Sequence, residues 1–174
     1  MKKQFKEHDR IMIIGDPGRG KTTLALKLSN KLGIKHYSTD DFFWKKKFTQ
    51  PEDKELSLNR ILKVYEKEKW IVEGTTRRLL EVGLNKSDVI IYMRHNNSLY
   101  QLWIFLKRYL TEKRGSVKET LFLMKDVFNQ RHGLGNKKGK MTYKEMYQKM
   151  INPYRNKVIE LHSFREIEDF VENL

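Results

Sequence analysis

The sequence predicts an α/β fold in a single domain spanning residues 1–174, with a five-stranded parallel β-sheet that carries helices on both faces. Apolar runs of strand length alternate with segments of helical periodicity, an order typical of parallel sheets. The first apolar run is followed by a glycine-rich turn and then by a leucine-bearing helical segment. With 174 residues, the chain is long enough to bury a substantial core without disulfides.

Short apolar runs predict the five strands. These are residues 11–14, 34–38, 70–72, 89–93 and 157–161. Apolar residues at helical spacing predict helices between and after them, at residues 22–32, 51–65, 77–84, 99–110, 121–128, 142–151 and 164–174. The glycine- and lysine-rich segment 131–140 predicts a loop.

Composition restricts the class of protein. The chain has no cysteine, which excludes disulfides and thiolate metal sites. Its charged N-terminus lacks the apolar run of a signal peptide and its apolar stretches are too short to span a bilayer, so we expect a soluble cytoplasmic protein without a membrane partner. The net charge of +14 predicts attraction to an anionic partner, and charge alone does not choose among nucleotides, nucleic acid and anionic membranes.

The glycine-rich turn matches the phosphate-binding pattern G-x-x-x-x-G-K-[ST] in full. The residues predicted to bind nucleotide are Gly15, Asp16, Pro17, Gly18, Arg19, Gly20, Lys21, Thr22 and Thr23. Glycines let the backbone turn its N–H groups toward phosphates, and the following helix presents its positive N-terminus to the same anion. Lys21 is predicted to act as a catalytic charge on the β- and γ-phosphates, and Thr22 to ligand Mg²⁺.

Two acidic residues follow the second predicted strand, at the end of the sheet where ligands bind. Asp40 is predicted to orient an acceptor substrate or to accept its proton, which makes it a catalytic candidate. Its neighbour Asp41 is predicted to contact the same substrate. The competing interpretation is that either carboxylate only caps the next helical turn.

The third predicted strand ends in a second acidic segment. Glu73 is predicted to order the Mg²⁺ ion or to contact the acceptor, together with Gly74. Arg77 is predicted to clamp a phosphate or carboxylate of the acceptor, a role that its neighbour Arg78 would also suit. The competing interpretation is a pair of solvated arginines at the start of a helix.

Together these segments resemble adenylate-kinase-like P-loop kinases and, more narrowly, DNA topology modulation proteins. The resemblance is carried by the phosphate loop, by Asp40 before the sequence FFW at residues 42–44, and by the stretch WIVEG at residues 70–74. It covers nearly the whole chain. It implies a three-layer P-loop NTPase fold, ATP and Mg²⁺ as cofactors, and phosphoryl transfer to a small acceptor.

Two narrower resemblances leave the class of acceptor open. The segment EGTTR at residues 73–77 is similar in spacing to Asp-Gly-Phe-Pro-Arg of nucleoside monophosphate kinases, which implies that Arg77 contacts an acceptor phosphate. The segment DDFF at residues 40–43 resembles Asp-Asp-Phe-Phe of nucleoside and nicotinamide riboside kinases, which implies a hydroxyl acceptor. The chain departs from the first pattern, because Glu73 replaces an aspartate and no arginine closely follows the second strand.

The resemblance also implies a helical lid, roughly residues 107–140, that closes over the transferring phosphoryl group. Lid arginines stabilise charge in such sites, and Arg108 and Arg114 are assigned this catalytic role. The predicted function is an ATP-dependent kinase for a nucleoside, a nucleotide or a related hydroxy compound. The alternatives are a nucleotide-binding protein that binds nucleic acid non-specifically through its basic surface, and a plain ATPase or GTPase switch.

Overall fold

The computed structural model describes residues 8–46, 50–94, 124–125, 128–129 and 142–174. Their strands are β1 Arg10–Gly15, β2 His36–Ser38, β3 Trp44–Lys46, β4 Gln50–Pro51, β5 Trp70–Gly74, β6 Val89–Met93 and β7 Val158–Leu161. Five strands form one parallel sheet in the order β2-β5-β1-β6-β7, while β3 and β4 form an antiparallel hairpin. The five predicted strands and their parallel arrangement are confirmed.

Helices cover this sheet on both faces, so the fold has three layers. In chain order they are α1 Lys21–Leu32, α2 Asp40–Phe43, α3 Lys54–Tyr65, α4 Arg77–Glu81, α5 Tyr143–Ile151 and α6 Phe164–Glu172. Leu28 of α1 and Phe170 of α6 belong to the apolar core on one face. Ile61 of α3, Leu79 of α4 and Tyr147 of α5 belong to the core on the other face.

The central strand β1 lies at the topological switch point of the sheet. In the parallel register, Ile13 of β1 lies opposite Glu73 of β5, and Gly15 lies opposite Met93 of β6. The chain leaves β1 toward β2 at one edge and later crosses to β6 on the other side of β1. A crevice opens at the carboxyl ends of strands at such a point. The segments that follow β1, β2 and β5 therefore meet at one edge of the sheet.

Two helix boundaries differ by three residues from the sequence prediction. Helix α3 begins at Lys54 instead of Pro51, because Pro51 pairs with Trp44 in the β3–β4 hairpin and the Asp53 carboxylate caps the helix. The hairpin itself was not predicted. Helix α4 ends at residue 81 instead of 84, because the N–H groups of Gly83 and Leu84 donate to carbonyls three residues earlier and form a turn.

Several sequence predictions lie wholly or largely outside the described residues. These are the helices at 99–110 and 121–128, the loop at 131–140, the lid at roughly 107–140, and the lid arginines Arg108 and Arg114. They remain predictions. No helix in the described part of the chain has the length and apolar character needed to cross a membrane.

Candidate active site

The phosphate loop joins β1 to α1 and lies against the end of β6. Its glycines Gly15, Gly18 and Gly20 have φ angles of 135°, 75° and 84°, a region that other residues rarely adopt. The Asp16 N–H donates to the Met93 carbonyl at 3.0 Å. A Cβ atom on Gly15 would lie 1.8 Å from that same carbonyl oxygen. The first glycine of the motif is therefore required for close backbone packing as well as for its conformation.

Replacing Gly15 with alanine is expected to destabilise the fold by about 3 kcal/mol or more, because backbone strain and steric overlap combine. Gly33 provides a matched control, since it ends α1 with a φ of 69° and has open space around it. Gly33→Ala incurs the conformational cost alone, about 1–2 kcal/mol. Urea unfolding measures both losses, and equal losses at the two positions would contradict the packing role of Gly15.

Lys21 is the first residue of α1, and its side chain is folded back onto the loop. It is 6% exposed, and its Nζ donates to the carbonyls of Gly15 at 3.0 Å and Asp16 at 2.8 Å. The loop thus surrounds a positive charge that would attract nucleotide phosphates. Arg19 is also buried, and its guanidinium lies 4.6 Å from the centre of the Phe164 ring, which packs the loop against α6.

The side chains of Thr22 and Glu73 connect α1 with the end of β5. Thr22 Oγ1 donates to Glu73 Oε1 at 2.9 Å. A hydroxyl has one hydrogen and two lone pairs, so this bond leaves the oxygen able to coordinate a cation. Both residues offer the oxygen ligands that Mg²⁺ prefers alongside substrate phosphates and water. The pair therefore fits a nucleotide-bound Mg²⁺, whereas no group of three or more His, Cys, Asp or Glu among the described residues could hold a metal.

Glu73 is only 3% exposed, yet its surroundings favour the charged form. Burial raises the pKa of its carboxyl, while the contact with His36 and the positive charge of Lys21 lower it. Hydrogen bonds from Thr22 and Ser38 lower the pKa further, and the net result is a pKa below the usual value. The carboxylate is therefore ionised at neutral pH. A negative charge therefore lies beside the phosphate loop, where it would attract a cation bound with the nucleotide.

Asp40 is the first residue of α2 and lies beside the end of β5. Its N–H donates to Ser38 Oγ at 3.4 Å, and the Thr39 N–H donates to the Glu73 carbonyl at 2.8 Å. Gly74 permits this approach, because a Cβ atom there would lie 1.7 Å from Thr39 Oγ1. The N-cap of α2 is Thr39, with no side-chain cap, so Asp40 is not the capping residue of this helix. The segment carrying Asp40 is therefore joined to the segment carrying Glu73.

Asp41 is exposed, and an arginine from α3 lies close to it. Arg60 Nη2 donates to the Asp41 carbonyl at 3.4 Å, and its guanidinium lies 5.4 Å from the centre of the Phe42 ring. Arg60 Nη1 is also 3.7 Å from a carboxylate oxygen of Glu52. Sequence reasoning missed Arg60, because nothing in the helical pattern of α3 indicates that this residue reaches α2.

The two arginines at the start of α4 have different partners. Arg77 is exposed, and its Nε donates to Glu81 at 2.6 Å, one helical turn away. Arg78 Nη2 donates at 2.8 Å to Ser57 of α3, which is fully buried. The predicted acceptor clamp Arg77 therefore pairs along its own helix, while Arg78 joins α4 to α3. Contact of either arginine with an acceptor remains a prediction.

The carboxyl edge of the sheet thus brings Lys21, Thr22 and Glu73 together, with the start of α2 beside them. Two other predicted nucleotide-binding residues, Pro17 and Gly18, are partly exposed on the loop. A third, Thr23, is exposed on the first turn of α1. Sequence reasoning missed His36 and Ser38, which contact the Glu73 carboxylate. The available signal was the alternation of side chains along a strand, which places residues 36 and 38 on the same face of β2.

No protein-family model matches the chain. Parts of it are similar to curated kinases. It is 34% identical over 80 residues to an adenylate kinase from Caldanaerobacter subterraneus subsp. tengcongensis, and 31% identical over 84 residues to a cytidylate kinase from Halobacterium salinarum. These matches cover 45% and 48% of this chain, and 34% and 42% of the two relatives. The chain thus spans less than half the length of the curated relatives that it matches.

Among solved structures, a shikimate kinase from Bacteroides thetaiotaomicron matches with a TM-score of 0.54 and 15% identity, covering 95% of each chain. At that identity the likeness concerns the fold alone. With the strand order and the phosphate loop, it defines a three-layer α/β P-loop NTPase fold, as the sequence predicted. The names of the curated relatives agree with the resemblance to adenylate-kinase-like kinases, and the resemblance to DNA topology modulation proteins stays a prediction.

Proposed function

We propose that the protein is an ATP-dependent kinase that transfers the γ-phosphoryl group to a nucleoside, a nucleotide or a related hydroxy compound. The observation that carries this proposal is the hydrogen bond from Thr22 to Glu73, which joins a complete phosphate loop to an ionised carboxylate on the neighbouring strand. Nucleotide sites that carry out phosphoryl transfer combine these two elements around Mg²⁺. Similarity of parts of the chain to adenylate and cytidylate kinases supports the same class of reaction.

On the nucleotide side, Lys21 and the loop N–H groups bind the β- and γ-phosphates in this proposal. Phosphate oxygens replace the loop carbonyls that Lys21 Nζ now contacts at 2.8 and 3.0 Å. Thr22 and Glu73 would hold the Mg²⁺ ion, and the bound ion would neutralise charge on the phosphates. Lys21 already lies within the loop, so its charge is close to the phosphates and stabilises the transition state after this exchange of partners.

On the acceptor side, Asp40 orients the acceptor hydroxyl and takes its proton. The acceptor oxygen forms a bond to the γ-phosphorus, and the bond from that phosphorus to the β–γ bridging oxygen breaks as ADP leaves. The hydroxyl proton passes to the Asp40 carboxylate. A phosphate acceptor has no proton that must be removed, and it would instead require cations such as Arg60 or Arg78. The acceptor screen therefore includes both classes.

A screen for ADP release tests the proposal. Nucleosides, nucleoside monophosphates and small hydroxy compounds are supplied separately with ATP and Mg²⁺. We expect one class to stimulate ADP release in the wild-type protein, and we expect EDTA to abolish the stimulation because the phosphate charge is no longer neutralised. No stimulation by any class, in a protein that binds ATP, would contradict the proposal.

Nucleic-acid binding with little kinase activity is the alternative function. It rests on the net charge of +14 and on the resemblance to DNA topology modulation proteins. Binding of this kind is independent of sequence and weakens steeply with salt. A filter-binding titration with duplex DNA at several salt concentrations tests this alternative. Retention of DNA at physiological salt would favour it, because a kinase for a small acceptor does not need to bind DNA.

A further inference from the structure

We propose that His36 is a positioning residue that holds the Glu73 carboxylate against the Thr22 hydroxyl, and that Mg²⁺-dependent nucleotide binding depends on it. This inference rests on the proposed function, because it takes Thr22 and Glu73 as the pair that binds Mg²⁺. His36 itself touches neither nucleotide nor acceptor in this account. Its effect is transmitted through the carboxylate.

The geometry places two groups beside one oxygen of Glu73. His36 Nε2 lies 3.9 Å from Glu73 Oε1, the same oxygen that accepts the Thr22 hydroxyl at 2.9 Å. The side chains of His36 and Glu73 are 15% and 4% exposed, so water screens the pair little. The imidazole therefore approaches Glu73 from β2 while the threonine approaches from α1.

The imidazole nitrogen has no closer partner in the described part of the chain. Nε2 is buried, and no hydrogen bond to it within 3.5 Å is formed there. Leaving a buried N–H without an acceptor is costly, and a carboxylate is the strongest acceptor that a protein offers. A closure of about 1 Å would convert this contact into a charge-assisted hydrogen bond of ordinary length. The contact is therefore a second restraint on the carboxylate.

The register of the sheet explains why β2 supplies this support. Ser38 of β2 lies directly opposite Glu73 of β5, and its hydroxyl also lowers the pKa of that carboxyl. His36 is two residues earlier on the same strand, so its side chain leaves the strand on the same face as that of Ser38. One face of β2 thus contributes two polar side chains to one carboxylate.

Glutamate has a particular need for such support. Its side chain has one more rotatable bond than the aspartate typical of this position in the monophosphate-kinase pattern, so more conformational freedom is lost when it is held in one orientation. Mg²⁺ demands nearly ideal octahedral geometry, and a mobile carboxylate would meet it poorly. Groups that orient a metal ligand in this way typically change metal affinity by about 10–100-fold when they are lost.

Calorimetric titration with ADP, in the presence and absence of Mg²⁺, tests the proposal without requiring turnover. The measured quantity is the dissociation constant of ADP without Mg²⁺ divided by the dissociation constant with Mg²⁺. This ratio isolates the contribution of the metal ion to ADP affinity. His36→Asn shortens the side chain so that its amide falls short of Glu73, and we expect the ratio to fall by about tenfold. His36→Gln carries an amide N–H close to the position of Nε2, and we expect it to keep the wild-type ratio.

The matched control is His162→Asn, which alters another histidine beside a glutamate. His162 Nε2 lies 3.5 Å from Glu160 Oε2, but these side chains are 36% and 30% exposed and do not contact Thr22 or Glu73. We expect this variant to keep the wild-type ratio, and thermal unfolding monitors the folding of every variant. A wild-type ratio in His36→Asn would overturn the proposal, as would equal losses in His36→Asn and His36→Gln, which indicate packing alone.

Failure of the proposed function is distinguishable from failure of this inference. A wild-type protein that binds ADP more tightly with Mg²⁺ but phosphorylates no acceptor would contradict the kinase proposal. The ratios of the His36 variants would still decide whether His36 positions Glu73. Conversely, an active kinase whose His36→Asn variant keeps the wild-type ratio contradicts only the positioning role.

Discussion

Replacing Lys21 with alanine is expected to lower acceptor-dependent ADP release by about 10³-fold, since it removes the charge that we propose stabilises the transferring phosphoryl group. Its Nζ contacts the carbonyls of Gly15 and Asp16, so the loss occurs inside the phosphate loop. Steady-state kinetics with the acceptor identified by the screen measures the effect.

Lys27→Ala provides the matched control, because Lys27 belongs to the same helix and is exposed. We expect this variant to keep wild-type kinetics. Thermal unfolding of both proteins separates a loss of catalysis from a loss of folding. Wild-type activity in a folded Lys21→Ala protein would refute the assignment of the phosphate loop as the ATP site, and so would equal losses in the two variants.

The Asp40→Asn substitution is expected to lower kcat for a hydroxyl acceptor by about 10²–10⁴-fold while leaving ATP affinity unchanged. The amide keeps the size of the side chain but takes up no proton. Asp40 follows β2, whereas the proposed ATP-binding residues follow β1, so the change affects one half of the proposed site. Kinetics together with calorimetric ATP titration measures the two effects separately.

Asp169→Asn on the exposed surface of α6 controls for the loss of one negative charge. It is expected to behave as wild type in both measurements. A full kcat in Asp40→Asn would show that the acceptor needs no base at this position, which is the behaviour expected of a phosphate acceptor. Weakened ATP binding in the same variant would contradict the division of the site into a nucleotide side and an acceptor side.

Most of the fold was predictable because its signals are local. A buried strand such as β6 is a continuous apolar run, and α1 is bounded by the phosphate loop and by Gly33. The β3–β4 hairpin was not predictable in this way, since its strands are two or three residues long and carry no alternation of apolar and polar residues. Pro51 illustrates the difficulty, because proline is common both at the start of helices and in edge strands.

The candidate site was predictable only in part. Lys21 and Thr22 follow from the motif, whereas the partners of Glu73 depend on which strands are neighbours. Thr22 and Glu73 are 51 residues apart in the chain. Nothing in the sequence around Arg77 and Arg78 shows that the first pairs with Glu81 on the helix surface and the second turns inward.

The sequence by itself determined the phosphate loop, the strands and the positions of the acidic segments that follow them. Each of these features depends on a short stretch of sequence, through its residue types and an apolar period of two or 3.6 residues. The tertiary structure alone decided that β5 lies between β2 and β1, and so brought His36 and Ser38 from one side and Thr22 from the other onto the Glu73 carboxylate. The physical reason is that strand order and register are set by burial across the whole sheet, and no local pattern records them.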